Sequence, residues 1–296
     1  MPQRIPIITR PAIEGRGLHI PHGLFNPRAS PMTAYFSPPK LSWRAISVWR
    51  RNFMVWKKLA IPSILGNLAD PMIYMFGLGY GLGSLLPSTL PQFGGTSYIA
   101  FLAAGTACAS TMNAASFESL YSAFARMHVQ KSWEAIMNAP VALDDVMLGE
   151  LLWSAAKATL SGVAILIVIA LLGLGNVTPL ALWTIPAIFL TGLAFAAPGL
   201  IVTSLAPSYD FFMYYFTLFI TPMTLLSGVF FPLEQLPAGF QAAAQLLPLT
   251  HAVALIRPLL LGQMPLNVAL HVAVLIAITV VSFWIALGLT RRRLLS

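Results

Sequence analysis

Three ionisable side chains sit where a bilayer tolerates few. Asp70, Glu118 and Lys157 each fall inside a long apolar stretch of the chain. An isolated charge deep in hydrocarbon costs about 3 kcal/mol on insertion scales, so each needs a partner or a task. Counted from the ends that the basic residues mark, all three lie at a common depth of about 13–17 Å at ~1.5 Å per helical residue. That shared depth predicts an ion pair between Lys157 and Glu118, or between Lys157 and Asp70. Such a cluster can touch substrate or gate a rearrangement, or it can simply lock three helices together; locking carries the greater weight.

Other chemistry is sparse. His251 and His271 lie far apart in sequence, and neither has a histidine four residues away to make a metal pair. No metal site is expected. Ser204 and Ser227 lack a histidine–carboxylate constellation nearby. The single Cys108 excludes an internal disulfide and reads as a small buried hydrophobe. No phosphate-binding G-x-x-x-x-G-K-[ST] run occurs, so any ATP must bind to another chain. The Gly79, Gly81, Gly83 spacing ends an apolar segment with no strand before it, and close helix packing or a turn explains it.

The elements that must position these residues are membrane helices. Of 296 residues 57% are hydrophobic and only 9% charged, where a soluble domain carries about a quarter charged. Six stretches, 61–83, 98–125, 146–174, 179–205, 211–231 and 266–289, approach or exceed the ~20 residues that span ~30 Å of hydrocarbon. Without water to satisfy the backbone, they are expected to be helices, kinked at Pro71, Pro186, Pro198 and Pro222. The reading is an all-α integral membrane protein with six transmembrane helices.

Before the first of them, Leu41–Leu59 gathers Trp43, Ile46, Val48, Trp49, Phe53 and Trp56 on one helical face, opposite Arg44, Arg51, Lys57 and Lys58. A basic helix with tryptophans on its apolar side predicts an N-terminal interfacial helix among lipid headgroups. The net charge of +8 is concentrated beside apolar segments, which favours anionic lipid over nucleic acid as its partner. Residues 1–40 carry eight prolines with no apolar period. That composition predicts a disordered tail or an over-long start, with no apolar core of a signal peptide, so the membrane domain is expected over 41–296.

Orientation follows from the cations. Ten of the 17 Lys and Arg precede Ile61, while Arg126 and Lys131 sit between the second and third stretches and Arg291–Arg293 follow the sixth. Positive-inside bias therefore puts both termini in the cytoplasm. Two connections are long enough to act. On the inner side, 125–149 contains a short helical run stopped by Pro140, with Asp144 placed to cap the next span. Lys131, Trp133, Glu134, Ile136 and Met137 suit it to be a docking knob for a soluble partner, or else an interfacial loop helix. On the outer side, 227–264 is too apolar for an exposed loop, yet its prolines cut it into pieces too short to cross. Re-entrant outer-side helices between spans five and six are expected there.

Those connections carry a resemblance. The runs NLADPMIYMFGLGYGLG (67–83), ASFESLYSAFARM (115–127), SWEAIMNAPVALDDVMLGELLWSAAKATLSG (132–162), SGVFFPLEQLP (227–237) and PLTHAVALIRPLLLG (248–262), with the closing RRRLL, resemble the ABC-2 class of ATP-binding-cassette exporter permeases. Within that class the chain is similar to the nodulation protein J (NodJ) branch, over nearly everything from Leu41 onward. The Ser227, Gly228, Phe230, Phe231, Pro232 element is typical of the whole class. The resemblance implies two permease copies paired with two copies of a separate ATPase that holds ATP and Mg²⁺, in a bacterial inner membrane. This chain would bind no cofactor and would not itself be an enzyme. Lys131–Asn138 would serve as the coupling helix. The implied cargo is an amphipathic lipid- or glycan-type molecule of the lipo-chitooligosaccharide kind, with polysaccharide or drug export as the alternative. An ATP-independent secondary transporter is the reading from another class, although the chain shows no repeated broken helices. The aromatic residues Phe211–Phe219 of the fifth stretch could line the route, or could merely pack.

Overall fold

The computed structural model describes residues 35–87, 93, 95–175 and 178–295, and all regular structure among them is helical. The proline-rich segment before Tyr35 lies outside the described residues. Helix α1 (Ala45–Trp56) leads through a short 3₁₀ turn into α2 (Ala60–Tyr74), which continues as a π-helical turn over Met75–Tyr80. Helix α3 (Tyr98–Phe117) is prolonged by two further π-helical segments, Glu118–Ser122 and Ala125–Val129. A one-and-a-half-turn helix α4 (Ser132–Met137) precedes α5 (Leu143–Leu171) and α6 (Thr184–Leu205). Then come α7 (Phe211–Tyr215), a π-helical Phe216–Ile220 and α8 (Thr221–Leu226), followed by α9 (Ala238–Ala244), α10 (Pro248–Leu260) and α11 (Val268–Leu295).

By length and hydropathy four helical stretches, 45–85, 143–171, 179–205 and 268–295, are able to cross a membrane; α9 and α10, bent by 85°, make a fifth if taken as one broken span. This is fewer than six. The second expected span is a continuous helix, but it is not among those four. Seventeen of the 20 residues of α3 are buried, because it runs through the centre of the bundle against α2, α5, α6 and α10. A helix wrapped by protein need not be greasy, and Thr106, Ser110, Thr111, Asn113 and Ser116 dilute it. The fifth expected span is shorter than foreseen, helical over Phe211–Leu226.

Small residues set the spacing of the bundle. A Cβ on Gly192 of α6 would lie 3.0 Å from Cα of Ala155 on α5, and one on Gly162 would lie 2.8 Å from Ile188. The α5–α6 pair thus meets backbone to backbone, the close approach that glycine and alanine permit where no hydrophobic drive exists between helices in lipid. Helix α1 docks on α5 the same way, since a Cβ on Gly149 would lie 2.6 Å from Cβ of Val48. The tryptophan face of α1 therefore turns toward protein as well as outward. Trp49, Phe53 and Trp56 surround Trp153 of α5 at centroid distances of 6.3, 6.2 and 5.9 Å, while Trp43 is exposed.

Candidate functional site

The π-helical extension of α3 and the N-terminal half of α5 hold a network of four charges whose two carboxylates are buried. Glu118 Oε2 accepts from Lys157 Nζ at 2.6 Å, and Glu118 Oε1 accepts from Trp153 Nε1 at 2.7 Å. Arg126 Nη2 lies 2.9 Å from Glu118 and 2.5 Å from Glu150. Its Nε adds a 3.0 Å bond to Glu150, so the arginine grips that carboxylate with two nitrogens while touching the other. Glu150 Oε1 also accepts from Asn52 Nδ2 of α1 and from Trp133 Nε1 of α4, each at 3.1 Å. Glu118 and Glu150 are 2% and 0% exposed. Two carboxylates and two cations cancel. Buried charge survives only when paired and hydrogen-bonded, and here both conditions hold.

Local structure explains the convergence. Glu118 and Arg126 stand at the start and near the end of the π-helical stretch that prolongs α3, where wide turns re-aim side chains relative to a regular helix. Glu150, Trp153 and Lys157 fall at i, i+3 and i+7, one stripe of α5. Lys131 takes a left-handed φ of 51° and reverses the chain so that α4 folds back beneath that stripe.

The expected cluster is thus half right. Glu118 and Lys157 do pair, but Asp70 stands apart. It is exposed on α2, bonds to no described residue, and lines a cavity of about 440 Å³ with Tyr74, Ser110, Asn113, Phe216 and Phe231. On α4 the expected docking residues also divide. Lys131 and Glu134 are exposed, and Ile136 and Met137 half-buried. Trp133 is only 1% exposed and points inward to Glu150, so it anchors α4 rather than standing on its surface. A nitrogen-bearing ring in an otherwise apolar pocket goes where an acceptor waits.

Asp144 does not cap α5, whose N-cap position is Ala142 with no side-chain bond. It binds Arg291 of α11 at 2.5 and 3.0 Å instead, while Arg291 Nη1 donates to the carbonyls of Tyr35 and Ser37. Lys40 N donates to Asp144 and Ser42 N to Asp145. The segment ahead of α1 is thereby tied to the N-terminus of α5 and the C-terminal end of α11.

At the opposite end, Gly228 adopts φ +75° and turns the chain sharply after α8. The carbonyls of Gly228 and Val229 accept from Arg257 Nη2 at 2.7 and 3.2 Å, and Tyr98 donates to the carbonyl of Phe230 at 3.2 Å. Phe230 and Phe231 face the Asp70 cavity, Ser227 is fully buried, and Pro232 starts a 3₁₀ turn. His251 and His271, distant in sequence, meet with Nδ1 atoms 2.8 Å apart, and His251 Nε2 lies 2.9 Å from the Gln245 carbonyl. Among the described residues no cluster of three or more metal-binding side chains occurs.

Long apolar helices around a small-residue centre, with four charged side chains between them joined in one paired network, define a polytopic membrane protein. The chain belongs to the ABC-2 type transporter family, whose model matches residues 44–261. It is 50% identical over 257 residues to Nodulation protein J of Rhizobium meliloti (strain 1021), covering 87% of this chain and 96% of that one. Nodulation protein J of Rhizobium leguminosarum bv. viciae is 51% identical over 86% of this chain and 96% of its own length. A more distant relative, the Inner membrane transport permease YadH of Escherichia coli (strain K12), is 25% identical across 85% of this chain and 96% of its own.

Proposed function

We propose that the chain is the permease subunit of an ATP-driven exporter in a bacterial inner membrane, working with a second copy of itself and two copies of a separate ATPase. Six spans with both termini inside complete the topology. Helix α3 serves as the second span, Phe211–Phe231 as the fifth, and α9 and α10 as a re-entrant pair on the outer side. The observation that carries the reading is the Trp133–Glu150–Arg126–Glu118–Lys157 chain of bonds. It ties α4, the helix offered to the ATPase, to the cores of α3 and α5. A displacement of α4 must therefore drag those spans or break a buried charge network, which is how a soluble motor could be coupled to membrane helices.

Lys131 and Glu134, with the outward edges of Ile136 and Met137, form the surface for the ATPase, and Trp133 is the anchor behind it. The cargo is an amphipathic lipid-linked oligosaccharide. Support comes from the resemblance to the nodulation protein J branch and from the cavity beside Asp70, where the aromatic rings of Tyr74, Phe117, Phe216 and Phe231 alternate with Ser110, Asn113, Thr221 and Thr224. Rings suit acyl chains and sugar faces, and hydroxyls and amides suit sugar hydroxyls. In the pair of copies this cavity opens toward the route between them.

The test is export by proteoliposomes holding permease and ATPase, for wild type and Trp133→Phe. Phenylalanine keeps the packing and loses only the bond to Glu150. ATP hydrolysis should continue while transport per ATP falls severalfold. Transport per ATP equal to wild type would remove the network from the coupling path, and flux without the ATPase would establish secondary transport instead.

A further inference from the structure

A second cavity, of about 540 Å³, lies at the end of the bundle away from α4, between the Gly228 turn and α10. Three of the residues that line it each carry a buried polar atom that bonds to no described residue: Ser227 Oγ, Thr250 Oγ1 and Arg257 Nε. Ser227 is 0% and Thr250 4% exposed. The rest of the arginine is fixed. Its Nη2 donates to the Gly228 and Val229 carbonyls, and its guanidinium lies 3.6 Å above the ring of Phe101. Carbonyls and an aromatic face orient a cation without neutralising it, and Arg257 forms no ion pair among the described residues. The one acid lining the cavity, Glu234, is exposed.

A buried guanidinium with an unused N–H, beside two hydroxyls with unused donors, lacks one thing: an acceptor with several lone pairs and a negative charge. A cation would be repelled. A neutral hydroxyl would satisfy a donor and leave the charge. Oxyanions take several charge-assisted hydrogen bonds at once, most strongly from arginine. We propose that this cavity is an oxyanion-binding site, in which Arg257 Nε, Ser227 Oγ and Thr250 Oγ1 hold a phosphate-class group at the end of the bundle opposite the loop helix. The group belongs either to a lipid headgroup or to a free anion, and the two share this chemistry. None of these atoms takes part in the charge network or in the Asp70 cavity, so the site stands whether or not the transport reading does.

The test is thermal unfolding of the purified full-length chain in neutral detergent. One series titrates inorganic phosphate against chloride at matched ionic strength, and another titrates phosphatidylglycerol into the micelles. A ligand bound only to the folded state raises the midpoint saturably. Phosphate should do so if the anion is free, and phosphatidylglycerol alone if the headgroup is read with its acyl chains. Ser227→Ala and Thr250→Val should each raise the half-saturating concentration about 10-fold, with the probe-free midpoint unchanged. Glu234→Gln, which removes the negative charge at the mouth, should lower it by up to about 5-fold. Should neither probe move the wild-type midpoint beyond its control, or should both hydroxyl variants titrate as wild type, the cavity holds only water and the proposal fails.

Discussion

Replacing Glu150 by glutamine tests the charge network most directly. Glu150 is fully buried and accepts from Arg126 through Nε and Nη2, from Trp133 and from Asn52. The amide keeps the shape but loses the charge, and its NH₂ faces donors. Arg126 is left to share Glu118 with Lys157, so two cations surround one carboxylate. Removing one partner of a buried pair costs about 3–5 kcal/mol. At roughly 2–4 °C per kcal/mol for a chain of this size, the unfolding midpoint in detergent should drop on the order of 10 °C. Arg126→Gln should do comparable damage by leaving Glu150 without a cation. The double variant removes one charge of each sign and keeps Glu118 with Lys157, so it should recover about 2 kcal/mol or more relative to the sum of the singles. Melting followed by size-exclusion chromatography of the four proteins measures the cycle. Additive losses, or a Glu150→Gln midpoint within 2 °C of wild type by the same ~2–4 °C per kcal/mol scale, would refute the claim that these side chains act as one unit.

The remaining expectations concern other contacts. Asp144→Asn removes the carboxylate that holds Arg291 and the Lys40 amide; limited trypsin digestion should then cut after Lys40 at least 10-fold faster while the rest of the chain stays protected. Gly192→Val would drive a branched side chain into the Ala155 backbone, 3.0 Å from where its Cβ would start. It should cost about 1–3 kcal/mol as overpacking, read as a lower midpoint. Leu295→Cys should react with an impermeant maleimide in inside-out vesicles and not in intact cells; because Cys108 is fully buried, the parent chain provides a blank, and labelling from outside would overturn the assigned orientation.

How much of this the sequence disclosed depends on the distance over which each feature is encoded. Hydropathy and cation placement are local sums, so the helical membrane class and the short helix before Pro140 were legible. That Lys157 pairs with a carboxylate at its own depth was legible, but Glu118 and Asp70 remained alternatives, because depth alone does not choose between neighbouring helices. Glu150 and Arg126 went unread although the signal existed: Glu150, Trp153 and Lys157 share one stripe of α5. Trp133 was assigned outward because composition says that a loop helix bears an aromatic side chain and cannot say which face meets the bundle. The His251–His271 contact and the Arg257 clamp were invisible for a different reason. They depend on how α10 and α11 pack and on the turn at Gly228, a matter of tertiary register that no window along the chain contains.

The balance of charge separates what the two polar regions are able to do. Glu118, Glu150, Arg126 and Lys157 sum to zero, and each is bonded to at least one opposite charge. Glu118 and Glu150 are sealed from solvent in this network, while Lys157 and Arg126 keep 19% and 13% of their side chains exposed and line a cavity of about 330 Å³. In the proposed exporter the network's use is mechanical: bonds to α1, α3, α4 and α5 meet within it, so force applied to one helix is felt by the others. Asp70 is the converse, a carboxylate on a spanning helix that no described residue neutralises. In lipid it would be intolerable unless a polar cargo, water or the second copy met it. Asp70→Asn in the proteoliposome assay should therefore change the apparent affinity for cargo while leaving the unfolding midpoint within about 0.5 kcal/mol of wild type, as for a surface substitution. Glu118→Gln should do the reverse, lowering the midpoint on the scale of a broken buried pair. If both variants fall by the same amount in both assays, the division between a lever and a binding surface is wrong.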